Sequence, residues 1–234
     1  MKVVTRFNPT SNGNLHLGHV FTMLVNEYFA HSVDGEFVLR IDDTSPPAAD
    51  LPKERVQSII QSQMNDIDWL KIPVDAWQIQ SSIMSDVYKE LRKFGCDDIP
   101  ERKHNHYLPV FVRLGMTYLP YPFVPQQTAE RVVMDHMLDI THVIRGEDFV
   151  TEYSLYRYFC WMFDYKPPEM IFLPRLMGNR GDISKTNGGY TIAELRGAGH
   201  SANWIKDRLQ EAALYYPDNG WEIYNIKPAP RINI

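Results

Sequence analysis

Hydrophobic positions along this chain change period at intervals, and the changes mark its elements. Val3-Val4-Thr5-Arg6 is a β-branched run that reads as a buried strand. Val20, Phe21, Leu24, Val25, Tyr28 and Phe29 then repeat at helical spacing, predicting a helix near 18–31. Asp34-Gly35 marks a turn into a second strand over 36–41, parallel to the first, which makes a right-handed βαβ unit. Val56, Ile59, Ile60, Met64 and Ile67 share one helix face, Ala76–Ile79 reads as a short strand, and Ile83, Val87, Leu91 and Phe94 predict a helix ended by Gly95.

Residues 108–126 are apolar and proline-rich. They read as one strand followed by extended or turning chain, because proline cannot sit in a central ladder. A helix over 127–138, a buried strand Thr141–Arg145, an aromatic helical stripe (Phe149, Tyr153, Tyr156, Cys160, Phe163) and a strand Ile171–Leu173 follow. The remainder, 187–234, predicts one helix through Trp204, Ile205, Leu209 and Ala212, then a Pro/Asn-rich tail. The alternation of strands and helices points to an α/β fold around a parallel sheet.

Composition narrows this little. The 234 residues suffice for one large α/β unit or a small bipartite fold, and 44% hydrophobic with 23% charged content is ordinary for a globular protein. No apolar run approaches a membrane span. Met1-Lys2-Val3 leads straight into the first strand, and Cys96 and Cys160 are the only cysteines. The expectation is therefore no export signal, no disulfide framework and a cytoplasmic location. A net charge of −5 argues against a broad nucleic-acid footprint but is compatible with a local basic surface.

Candidate chemistry gathers first at Phe7–His19, where a strand passes through a Pro/Asn/Gly loop into the first turn of a helix. A helix start offers unpaired N–H groups and the positive end of the macrodipole, a seat for phosphate. His16 and His19 lie three residues apart on one face, and Gly18 between them lets a flat ligand approach the backbone. Two surface histidines on a helix are the plainer alternative. Arg40-Ile41-Asp42-Asp43-Thr44 ends the second strand on the side where open α/β sheets place ligands, although adjacent acids there more often form a turn or cap. Cys96, His104 and His106 give at most three metal ligands at an unfamiliar spacing, so no metal site is assigned and their stretch reads as a solvated loop.

His16-Leu17-Gly18-His19 resembles the HIGH signature of class I aminoacyl-tRNA synthetases. With Thr5–Pro9, Gly13–His16, Glu36–Thr44 and Ile140–Asp148 in the family's order, the chain resembles glutamyl-tRNA synthetase. The resemblance implies a Rossmann-type parallel sheet with helices on both faces. It divides the chain into a first half of the catalytic domain (1–94), a shortened insertion in place of an acceptor-binding domain (95–124), a second half (125–186) and a small helical C-terminal segment (187–234), with no anticodon-binding domain. It also implies ATP-dependent activation of an amino acid, glutamate by preference, with Mg²⁺ accompanying the nucleotide. ATP would meet His16, Gly18, His19, Glu147, Ser184 and Lys185. His16, His19 and Lys185 would be catalytic, with Lys185 on a loop where Asp182 replaces the family's first lysine.

The amino acid would meet Arg6, Thr10, Asp42, Gln127, Arg131 and Arg145. Arg6 and Arg145, each at a strand end, suit bidentate binding of a carboxylate, and Asp42 suits the ammonium. Gln127 and Arg131 depart from the family's pocket residues, and Asp42 replaces its usual Glu. The acceptor implied is tRNA. A small amine, peptide or carrier, or a non-catalytic binding remnant, are the alternatives. Nothing points to a membrane partner, and the oligomeric state is not legible.

Overall fold

A computed structural model describes residues 2–94, 107–114, 117–174, 176–178, 181–182 and 190–213. Strand β1 (Val4–Phe7) leads through the Pro/Asn/Gly loop into α1 (Leu17–His31), and β2 (Glu36–Ile41) returns parallel to β1, with Val4 opposite Glu36 and Phe7 opposite Leu39. The turn between them puts Asp34 in the left-handed region (φ 56°). Gly35 is required by close approach, since a Cβ there would lie 2.5 Å from the Val3 carbonyl oxygen. A short α2 (Pro46–Ala49) and α3 (Lys53–Leu70) precede β3 (Ala76–Ile79), which pairs parallel with β2. A 3₁₀ turn then enters α4 (Met84–Lys93).

Strands β4 (Tyr107–Leu114) and β5 (Thr117–Pro125) form an antiparallel hairpin, where one strand and an irregular segment were expected. A two-stranded ribbon has only edge strands, and each proline can turn its missing N–H outward. The register also shifts between Leu108 and Val110, at Pro109. Beyond it come α5 (Gln126–Met137), β6 (His142–Gly146), a 3₁₀ turn, α6 (Val150–Met162) and β7 (Glu169–Leu173), parallel to β6. A minimal antiparallel pair, β8 (Met177–Gly178) and β9 (Gly181–Asp182), precedes α7 (Ile192–Gly197) and α8 (Ala202–Ala213). Helix α7 was not expected from the apolar period. Its signal was a capping box: Thr191 Oγ1 accepts the Glu194 N–H at 3.2 Å, and the Glu194 carboxylate accepts the Thr191 N–H at 2.8 Å.

The β3–β2–β1 and β6–β7 groups abut along β1 and β6. Thr141 N–H donates to the Val4 carbonyl at 3.0 Å, and Val4 N–H to Thr141 Oγ1 at 2.8 Å. Side chains alternate to opposite faces along each strand. Phe37, Leu39, Ile41, Ile144, Ile171 and Leu173 join a core with α1, α3, α7 and α8, whereas Val4, Val38, Val143 and Met170 join a second core with α4, α5 and α6. The sheet is thus covered on both faces, as the Rossmann-type expectation required. No described helix is long and apolar enough to cross a membrane.

Candidate functional site

Strand β1 has β2 on one side and β6 on the other, so the chain order reverses across it. Open α/β sheets place ligands at the C-terminal ends of strands at such a switch point. A cavity of about 510 Å³ opens there, lined by residues that follow β1, begin α1 and end β6 and β7.

One wall is the start of α1. His16 is the N-cap residue, its Nδ1 accepting the Gly18 N–H at 3.1 Å, and His19 Nδ1 accepts the His16 N–H at 3.3 Å. The two rings stack at 3.7 Å between centroids. Two histidines therefore form the capping box that Ser/Thr and Glu usually form. Each ring thus turns Nδ1 to the helix backbone and leaves Nε2 as its other polar atom. This amends the expectation of bare helix N–H groups: at Gly18 the N–H is already held by an imidazole. His16, Gly18, His19 and Thr10 all line the cavity.

The opposite wall is cationic. Arg6 and Arg40 lie two residues from Val4 and Val38 along their strands and so share that face of the sheet, under α5. Both reach Asp135 of α5: Arg6 Nε and Nη2 donate to its two oxygens at 2.9 and 3.0 Å, and Arg40 Nη1 donates at 2.8 Å. The Tyr156 hydroxyl adds a fourth bond at 2.9 Å. Burial pushes the Asp135 carboxyl up, but the charges of Arg6 and Arg40 and the bonds from Arg6 and Tyr156 outweigh it and hold it well below the carboxylate range. Burial also lifts the Tyr156 phenol well above its ordinary value, so it remains a donor.

Arg6 lines the cavity with its Nε–Nη2 edge held by Asp135, which leaves its Nη1 end as the part that can meet a substrate carboxylate. Arg145 differs. Its guanidinium centre lies 3.2 Å from the Phe149 ring centroid, and its Nε is buried without a hydrogen bond. Burial first, then the charges of Arg131 and Arg6, lower its pKa well below the ordinary arginine value. Arg131 also lines the cavity, with Nη1 2.8 Å from Glu152 Oε2. Two guanidiniums on one carboxylate, with Arg145 beside them, leave this wall with excess positive charge that an anion would relieve.

Asp42 is not among the cavity-lining residues. Its Oδ1 accepts the Thr44 and Ser45 N–H groups at 3.0 and 2.8 Å, and its Oδ2 accepts the Ser45 hydroxyl. It caps the turn into α2, and its carboxylate is spent on that turn rather than on an ammonium. Asp148, not singled out from the sequence, is the one carboxylate among the described lining residues. It sits over Gly146, where a Cβ would come within 2.4 Å of its Oδ1. Glu147 opens the adjacent 3₁₀ turn, and Gln127 is half-buried in the first turn of α5; neither is a lining residue. Ser184 and Lys185, like Cys96, His104 and His106, lie outside the described residues. Asp135, Tyr156 and Asn8 were also missed; the one available signal was a charge at 135 directly after the apolar positions 132–134 of α5.

The family described as tRNA synthetases class I (E and Q), catalytic domain, matches residues 2–95 and 122–202, most of the chain. The glutamate–tRNA ligase of Methanothermobacter thermautotrophicus is 26% identical over 270 residues, covering 89% of this chain and 46% of that protein. Glutamate–tRNA ligase 2 of Neorickettsia sennetsu is 27% identical, covering 98% of this chain and 59% of the relative. The chain thus spans about half the length of the curated relatives it matches. Among solved structures, a glutamate tRNA ligase from Elizabethkingia meningosepticum in complex with its amino acid superposes with a TM-score of 0.68 at 19% identity, over 91% of this chain and 61% of that one. A tyrosyl-tRNA synthetase from Archaeoglobus fulgidus gives a TM-score of 0.56 over 81% of this chain and 61% of that one at 16% identity. These two likenesses establish the shared fold.

Proposed function

We propose, from the premise that this chain belongs to the family of class I tRNA synthetase catalytic domains for E and Q, that it activates glutamate with ATP and passes the glutamyl group to tRNA. The observation that carries glutamate is the cationic wall: Arg145 is buried with an unpartnered Nε beside Arg6 and Arg131 in one cavity. Such a wall favours a ligand with a side-chain carboxylate.

In this reading the α-carboxylate attacks the α-phosphorus of ATP, pyrophosphate leaves, and glutamyl-adenylate forms. A tRNA ribose hydroxyl then takes the glutamyl group and releases AMP. Negative charge builds on phosphate oxygens, so positioning and electrostatic stabilisation do most of the work. His16 and His19 present Nε2–H donors to the phosphates, their rings pre-set by the caps. Ser184 and Lys185 complete the nucleotide site, the lysine as a point charge on the leaving pyrophosphate. Thr10 contacts the amino acid. Asp148 takes the ammonium role expected of Asp42, Arg145 takes the side-chain carboxylate, and Arg131 reinforces it. Mg²⁺ would accompany the triphosphate and neutralise the charge that builds on its oxygens. The break in the family match at 96–121 falls within the proposed insertion at 95–124.

The test is pyrophosphate exchange into ATP with each amino acid, with and without total tRNA, on the wild type, Lys185→Ala and His16→Asn. Asparagine is a good N-cap, so His16→Asn keeps the helix start while removing the imidazole. Exchange with glutamate alone, reduced at least about a hundredfold in both variants without loss of thermal stability, is expected. Exchange with no amino acid under either condition would sink the proposal.

A further inference from the structure

The E and Q family leaves open whether the substrate side chain is an acid or an amide, and one residue outside the sites assigned above bears on that choice. Asn8 follows β1 and lines the cavity with Arg6, Arg131 and Arg145. Its Oδ1 accepts from Arg40 Nε at 2.9 Å. A guanidinium only donates, so the atom facing it must be the amide oxygen and the side-chain orientation is determined. Arg40 is held in place: it is completely buried and bound by Nη1 to Asp135 at 2.8 Å. With the oxygen committed, the Asn8 NH₂ points away from Arg40. Among the described residues it has no hydrogen-bond partner, yet it is not a fully buried orphan. It is a solvated donor on a cavity-lining residue.

We propose that Asn8 is a specificity-determining residue, its NH₂ turned into the cavity by Arg40 to donate to a carboxylate oxygen of the substrate. Every group that Asn8, Arg6, Arg131 and Arg145 offer is then a donor. A carboxylate has only acceptor positions to meet them, whereas a carboxamide presents its own NH₂ to donors. Arg40 and Asp135 are positioning residues that act through Asn8. The inference rests on the proposed amino-acid site.

Asn8→Asp separates binding from folding. It is isosteric, keeps the contact to Arg40 as an ion pair, and replaces the inward donor with an acceptor. Binding of L-glutamate, L-glutamine and inorganic sulfate is measured by thermal shift and calorimetry on the wild type and the variant. The ligand-free melting temperature should be unchanged or higher. Affinity for glutamate and sulfate should fall about tenfold to a hundredfold, and the preference for glutamate over glutamine should narrow by a similar factor. Unchanged affinities, or a wild type that binds neither glutamate nor sulfate, would overturn the proposal. If Asn8→Asp does not fold, Asn8→Ala is read for the glutamate-to-glutamine ratio, and an unchanged ratio is the refuting result. Sulfate binding weakened by the variant in a protein that exchanges no pyrophosphate would sink the activation reading and leave Asn8 as an anion donor. Glutamate exchange equal in both proteins would do the reverse.

Discussion

Replacing Asp135 by Asn removes one negative charge and leaves the shape. The carboxylate now accepts three bonds from Arg6 and Arg40 and one from Tyr156, and all three charged side chains are at most 4% exposed. An amide oxygen can still accept from one side, but the amide nitrogen then faces donors. Removing one member of a buried ion pair costs roughly 3–5 kcal/mol, because the remaining charge stays buried; here two guanidiniums remain, partly offset by the surviving acceptor. In a domain of this size about 1 kcal/mol moves the melting temperature by ~2–4 °C, so a fall of roughly 6–20 °C is expected. Urea unfolding followed by circular dichroism at pH 7 and pH 3 is the assay.

The pH arm has a definite sign. The folded-state pKa of Asp135 is depressed, so its stabilisation is fully present above the unfolded carboxylate value near ~3.9 and is lost as pH falls towards the folded value. The gap between wild type and variant should therefore shrink by about 1.4 kcal/mol per pH unit below ~4. A loss under about 1 kcal/mol at pH 7, where a buried pair should cost several times more, would refute the reasoning. So would a gap that is the same at both pH values.

At the far end of the sheet, His31 of α1 bridges Glu27 at 2.9 Å and Asp75 at 2.7 Å. The Asp75 bond first, then that of Glu27, raises its pKa. Its contribution is complete below the unfolded value near ~6.5 and is lost as pH rises through the folded value. Wild type should lose roughly 0.5–1 kcal/mol in that window and His31→Gln should not; parallel urea midpoints across the range would count against the bridge. Arg196 Nη2 lies 3.4 Å from Asp66 Oδ1, and neither Asp66 oxygen, both buried, has a hydrogen bond. Arg196→Ala should cost about 1–3 kcal/mol, and adding Asp66→Asn should recover much of it by removing the stranded charge. A double-mutant cycle that proves strictly additive would exclude the coupling.

Much of this molecule is written locally. The short apolar strands at 36–41 and 141–145 and the helical stripes around them specify which residues are buried, because a strand covered on both faces reads as a continuous apolar run and a helix as a stripe. His16 at the head of a helix, the capping box at Thr191 and the turn at Asp34-Gly35 are equally short-range. The proline-rich stretch is legible only with its partner: whether Pro120 and Pro122 are tolerated depends on whether a strand has one neighbour or two.

The site is a different matter. Arg6 and Arg40 lie 129 and 95 residues from Asp135 in the chain, and nothing near 135 says which cations it meets. Only the parallel register of β1 and β2 under α5 brings Arg6 and Arg40 onto one carboxylate and sets the Asn8 amide oxygen on Arg40. Asp42 became a cap because two backbone N–H groups at 44 and 45 reached it first, while Asp148 gained the cavity through a bare glycine at 146. Strand and helix identity follow from chemistry repeated along the chain, whereas the partner of a buried charge follows from which elements pack face to face, and that is decided in three dimensions.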